Sequence, residues 1–90
     1  MAVTMFIRHR VAEFNDWHRV YKDVEPMQKA GGVLAEAVYQ ASNDPNDVTV
    51  THDFAEETEA RSFAASQDLK AAMERAGVIE QPVIWITART

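Results

Sequence analysis

The sequence predicts an α+β fold in which one strand-helix-strand unit is followed by a second of the same order. Two helix-to-strand handovers carry that prediction, Ala30-Gly31-Gly32-Val33 and Ala76-Gly77-Val78. Glycine just past the last periodic residue of a helix accepts the left-handed conformation that lets terminal carbonyls be capped. The third observation joins the units. Ser42-Asn43-Asp44-Pro45-Asn46-Asp47 is dense in turn formers and lies between two strand-like runs, so those runs form a hairpin. A β-α-β-β-α-β order with a central hairpin is that of a ferredoxin-like sandwich. Its antiparallel strands lie in spatial order 4-1-3-2, with the helices on one face.

Each element has its own signature. Val3 to Val11 is the first strand, with Val3, Met5, Ile7 and His9 pointing one way and Thr4, Phe6, Arg8 and Arg10 the other. Glu13 to Ala30 is helical, started by Asn15 or Glu13, with Phe14, Trp17, Tyr21 and Val24 on one apolar face. Pro26 removes a donor inside this helix and clashes with the preceding turn, so a kink or a break into two short helices is expected there. Val33 to Ala41 and Val48 to Phe54 are the hairpin strands. Thr58 is a candidate cap for the next helix, where Glu56, Glu57 and Glu59 suit the positive end of the dipole. Ala60, Phe63 and Ala64 form its apolar stripe; it reorganises at Ser66-Gln67-Asp68 and resumes with Leu69, Ala72 and Met73 until Gly77. After Pro82, Val83 to Ala88 is the fourth strand.

Composition bounds the function. Ninety residues make one domain, 1–90, that hides only about two-thirds of its unfolded surface, so apolar partners matter to its stability. A net charge of −5 argues against nucleic acid or an anionic membrane as partner, because both need clustered Lys and Arg. The absence of cysteine excludes disulfides, thiolate metal sites and Cys nucleophiles. Met1-Ala2-Val3-Thr4 does not read as a signal peptide, and no apolar run approaches the ~20 residues of a membrane span, so a cytoplasmic protein is expected.

The last strand points to self-association. Val83, Ile84, Trp85 and Ile86 are apolar on both faces, as are Met5, Phe6 and Ile7. Helices cover one face of a two-layer sandwich, and the other is expected to leave Phe6, Ile84 and Ile86 in water with Leu34 and Val38. A contiguous apolar patch marks an association surface, and two sheets packed face to face as a homodimer would cover it.

Arg8-His9-Arg10-Val11 followed by Phe14, Trp17 and Tyr21 resembles small bacterial proteins of the dimeric α+β barrel superfamily. So does Phe63-Ala64-Ala65-Ser66 with Asp68-Leu69-Lys70, Met73 and Ala76-Gly77-Val78. The nearest branch is the antibiotic-biosynthesis-monooxygenase-like group, whose members are often labelled as cyclases or monooxygenases. The resemblance covers nearly the whole chain; its motifs are specific for the fold and poor at naming a reaction. It implies two ferredoxin-like protomers joined into a barrel, with a small hydrophobic, aromatic or polyketide-like molecule bound between sheet and helices. Members oxidise such substrates with O₂ and no cofactor, isomerise or cyclise them, or degrade haem. The haem-degrading branch uses a histidine on the second helix, which this chain lacks, so that activity is not carried over.

His9 and His52 are the candidate catalytic groups. His9 continues the side of Met5 and Ile7, and His52 lies between Val50 and Phe54 on the apolar side of its strand. An imidazole there can accept a proton from a phenol or an activated carbon acid, the step that cofactor-free oxygenation or aldol cyclisation requires. Either ring can equally be satisfied by a neighbouring carbonyl or hydroxyl. Trp17, Tyr21, Tyr39, Phe54, Phe63 and Trp85 are candidate substrate-binding residues, against the plainer reading that they form the core. Asp53 faces away from His52 and is expected to pair with Arg8. No cofactor is expected, and the spacing of His9, His18 and His52 does not support a metal site. The competing function is non-catalytic: a small-ligand-binding or stress-response barrel.

Overall fold

The computed structural model describes residues 1–90, and the hairpin strands show why the chain orders itself as it does. The elements are β1 (Val3–Arg10), α1 (Phe14–Asp23), α2 (Glu25–Ala30), β2 (Ala35–Ala41), β3 (Asp44–Phe54), α3 (Glu57–Ala64), α4 (Gln67–Arg75) and β4 (Val83–Ala88). The strands form one antiparallel sheet in the order β2-β3-β1-β4. This is the α+β, ferredoxin-like topology expected from the sequence. No helix is long and apolar enough to cross a membrane.

The hairpin turn is tighter than its composition implied. Pairing runs Gln40 with Val48 and then Ala41 with Asp44, so Pro45, Asn46 and Asp47 bulge out of β3 and only Ser42-Asn43 turns. Proline is tolerated at such a bulge, where no ladder donor is missed. The bulge also anchors the next layer. The Asn46 carbonyl accepts from the Val11 N–H at 2.9 Å, and its side-chain oxygen accepts from the Phe14 N–H at 3.0 Å, at the start of α1.

The helical stretch breaks at Val24 into α1 and α2, with Pro26 in the first turn of α2, where a missing N–H costs nothing. Glu13 caps α1 by accepting from the Asp16 N–H at 2.8 Å. The second helical stretch breaks at Ala65-Ser66, and the Ser66 hydroxyl accepts from the Leu69 N–H at 3.1 Å. Thr58 is not the cap of α3. Glu56 holds that position and its N–H donates to Glu59 at 3.2 Å, because an acid three residues on can reach back over the first turn.

Met5, Ile7, Val48, Val50 and Phe54 from the two central strands pack under Trp17, Ala60, Phe63 and Leu69 as the core. Alternation then fixes the opposite face. Ile84 and Ile86 pair with Ile7 and Met5 and so face the helices, as does Val38 beside Val50. The expectation that these three face solvent is therefore corrected. The open face carries Phe6, Tyr39, Val83 and Trp85, and the Phe6 and Trp85 rings stack at 5.1 Å. Leu34 precedes β2 and is 70% exposed at the helix-side margin. Asp53 takes a hydrogen bond from the Thr4 hydroxyl at 2.6 Å, while Arg8 grips Asp47 with two bonds of 3.0 and 2.6 Å, which replaces the expected Arg8–Asp53 pair.

Candidate functional site

Between the sheet and the helices runs a cleft floored by Ile7, His9, Val50 and His52 and walled by Trp17, Tyr21 and Gln28 on one side and Leu69, Met73 and Ala76 on the other. Strand alternation puts the two imidazoles on this face. His52 pairs with Met5 and His9 with Val48, so they stand roughly 13 Å apart along the strands. An aromatic column joins them. His9 meets Trp17 edge-on at 5.6 Å, Trp17 stacks on Tyr21 at 4.9 Å, and Tyr21 lies parallel to His52 at 6.2 Å.

The polar groups of the cleft are few and deeply placed. His9 and His52 are 6% and 2% exposed. Neither nitrogen of His9 has a protein partner, nor does Nδ1 of His52. The Tyr21 hydroxyl donates to Glu36 at 2.6 Å and lies 3.2 Å from His52 Nε2. Burial in this apolar setting lowers the pKa of each histidine from 6.5 to about 4, so both rings are neutral at pH 7; for His52 the Glu36 and Asp53 charges pull weakly the other way. Burial, then the bond to Glu36, holds the Tyr21 phenol well above its usual range. A neutral imidazole offers a lone pair to a proton, and the same burial that keeps it neutral makes it a weaker base than a solvated one. No three His, Asp or Glu side chains converge as a metal site would require.

The cleft's cavity volume is about 40 Å³. That admits a few waters; a ring system enters only if Met27 and Met73, flexible side chains on its wall, move aside.

Not every candidate residue lies here. Trp17 and Tyr21 line the cleft with His9 and His52. Phe54 and Phe63 pack edge-on against His52 from behind, at 6.5 and 5.5 Å, and form the core rather than the cleft wall. Tyr39 and Trp85 stand on the open face of the sheet, 57% and 42% exposed, and do not reach the cleft. His18 stacks on Phe14 at the rim at 5.2 Å. Glu36 and Gln28 were missed, although a signal for each exists. Glu36 shares the period-two face of Val38, and Gln28 falls seven residues after Tyr21 on the helical stripe.

No protein-family model matches this chain, and no curated protein does. Solved structures do match. A proposed antibiotic biosynthesis monooxygenase from Bordetella bronchiseptica is similar with a TM-score of 0.84 at 14% identity, covering 99% of this chain and 97% of its own. A conserved protein from Methanosarcina mazei Go1 has a TM-score of 0.78 at 17% identity, with 100% and 94% covered. SnoaB, a cofactor-independent oxygenase from Streptomyces nogalater, has a TM-score of 0.75 at 14% identity, with 99% and 94% covered. The chain has the fold of antibiotic-biosynthesis-monooxygenase-like proteins, as its sequence resemblance implied. At these identities the likeness shows the fold alone.

Proposed function

We propose that this chain is a cytoplasmic small-molecule pocket protein that acts, as a homodimeric α+β barrel, on an aromatic or polyketide-like substrate by cofactor-independent proton abstraction. The observation that carries this reading is a pair of buried, neutral imidazoles with unpartnered nitrogens lining an otherwise apolar cleft. A buried nitrogen left without any partner costs about 1–3 kcal/mol, so water or a ligand in the cleft is needed to satisfy these atoms. His52 or His9 takes the proton of a phenol or activated carbon acid, and the electron pair of the broken O–H or C–H bond stays on the substrate. The resulting anion gives electrons to O₂ and combines with it as a peroxide. The O–O bond then breaks with loss of water, so that one oxygen stays on the substrate as a carbonyl and the substrate supplies all the electrons. Alternatively the anion attacks a carbonyl within the same molecule, and the alkoxide formed takes the proton back from the imidazolium, giving cyclisation. Trp17 and Tyr21 supply flat faces on which a ring can stack.

Two variants test this, His52→Ala and His9→Ala, assayed in air for turnover of polycyclic phenols. A fall of about 10²-fold or more in one of them is the expected result for a lost general base. Unchanged rates in both would remove the histidines as bases. The narrowness of the cleft favours a second reading, a binding or stress-response protein that only sequesters its ligand. Saturable binding of those phenols without any oxygen uptake or cyclised product would select it.

A further inference from the structure

We infer that Glu36 and Tyr21 are positioning residues that fix His52 in its Nε2–H tautomer and leave the lone pair on Nδ1. The Tyr21 hydroxyl has one hydrogen, and the 2.6 Å contact to the Glu36 carboxylate claims it as a short charge-assisted bond. Only oxygen lone pairs of Tyr21 then remain for His52 Nε2 at 3.2 Å, so that nitrogen must be the donor. A neutral imidazole carries one N–H, which leaves Nδ1 as the acceptor, and Nδ1 is the nitrogen without a protein partner.

The three groups span two spaces. Outside the cleft lies a groove between α1–α2 and the start of β2, lined by His18, Lys22, Lys29 and Glu36. Tyr21 and Gln28 line both spaces and form the partition between them. The chain Glu36–Tyr21–His52 therefore crosses from a solvent-facing carboxylate to a buried base. When Nδ1 accepts a proton, the imidazolium keeps its Nε2–H bond to Tyr21, and the Glu36 charge is felt through the aligned hydroxyl. That catalytic consequence rests on the function proposed above; the tautomer does not.

Nitrogen-15 NMR of the imidazole rings of the full chain at neutral pH tests this without any substrate. The expected wild-type result is a His52 with Nδ1 unprotonated, Nε2 protonated, and an Nε2–H resonance shifted downfield by its hydrogen bond. Tyr21→Phe should move that resonance upfield. Glu36→Gln keeps an oxygen that can accept from Tyr21, so it should preserve the tautomer while lowering the pH at which His52 protonates. A wild-type His52 in the Nδ1–H form would overturn the inference, and this arm needs no variant to fold. An Nε2–H resonance unmoved by Tyr21→Phe would overturn it too. Loss of phenol turnover as a property of the protein would strike the proposed function alone.

Discussion

His9, Gln28 and His52 are the only polar side chains buried among the fifteen buried residues, and their burial has consequences that can be measured. Each histidine has a pKa of about 4 when folded against 6.5 when unfolded, so below pH 6.5 the unfolded chain binds more protons. Stability is full above pH 6.5 and falls as pH drops toward 4, by on the order of 3 kcal/mol per histidine once the window is crossed. Asp44 and Asp47, held below the usual carboxylate range by hydrogen bonds and by Arg10 and Arg8, lose stability in the same direction at lower pH. His9→Leu, nearly equal in volume and free of orphan nitrogens, is predicted to be neutral or to stabilise by about 1 kcal/mol at pH 7. It should also halve the histidine-linked loss between pH 7 and pH 5, read from urea midpoints. Destabilisation above about 1 kcal/mol at pH 7 would mean that the ring has polar partners after all. The two histidines were legible in the sequence because each alternates with apolar neighbours. Tyr39 and Trp85 were not, for a physical reason. Residues 83–86 are apolar without alternation, so only the register against β1 decides which pair faces the helices. In β2 the helix-facing set includes Glu36 and Gln40, because this edge strand meets the margin of the helical layer and not its centre.

The two glycine handovers show the same division between local and distant causes at the level of elements. Gly32 and Gly77 have φ of +100° and +84°, the left-handed region that the helix-stop pattern foretold. A Cβ on Gly77 would touch nothing closer than Ala12 at 3.8 Å, so Gly77→Ala costs only the backbone strain, about 1–2 kcal/mol. For a domain of this size, that corresponds to a fall in Tm of roughly 4–16 °C. Gly32→Ala should cost more, because its Cβ would also lie 2.6 Å from the Glu59 carboxylate, which must move. Calorimetry of the two variants checks the order, and a larger loss at Gly77 would contradict it. Such backbone requirements are local, which is why strand and helix order could be read directly. The Ser42-Asn43 turn could not, since the bulge that shortens it is stabilised by bonds from Val11 and Phe14, more than thirty residues away. The capping of α3 was missed for a lesser reason: Thr58 and Glu56 are both acceptable caps, and the reach of Glu59 chooses between them.

For the molecule as a whole, the unresolved demand is the open face of the sheet. Helices α1 to α4 all lie on the other side, and the open face sets the Phe6–Trp85 stack, Val83 and Tyr39 among threonines, alanines and the charged Arg8, Arg10, Asp47 and Asp53. Trp85 and Val83 on β4 are 42% and 60% exposed in the single chain, and Tyr39 on the opposite edge strand is 57% exposed. The proposed dimer would bury this face against its own copy, with Arg8 and Asp47 already neutralising one another at 2.6 Å so that neither enters the contact as a bare charge. Trp85→Asp places a carboxylate in the aromatic stack on the edge strand β4 while touching little of the core, so it should leave the circular dichroism spectrum intact. Light scattering should then report about 10 kDa for the variant and about 20 kDa for the natural chain, whose single copy weighs 10.1 kDa. A natural chain at about 10 kDa at micromolar concentration would dispose of the dimer. A folded variant that stays at about 20 kDa would move the interface off this face and leave the aromatic stack without an explanation.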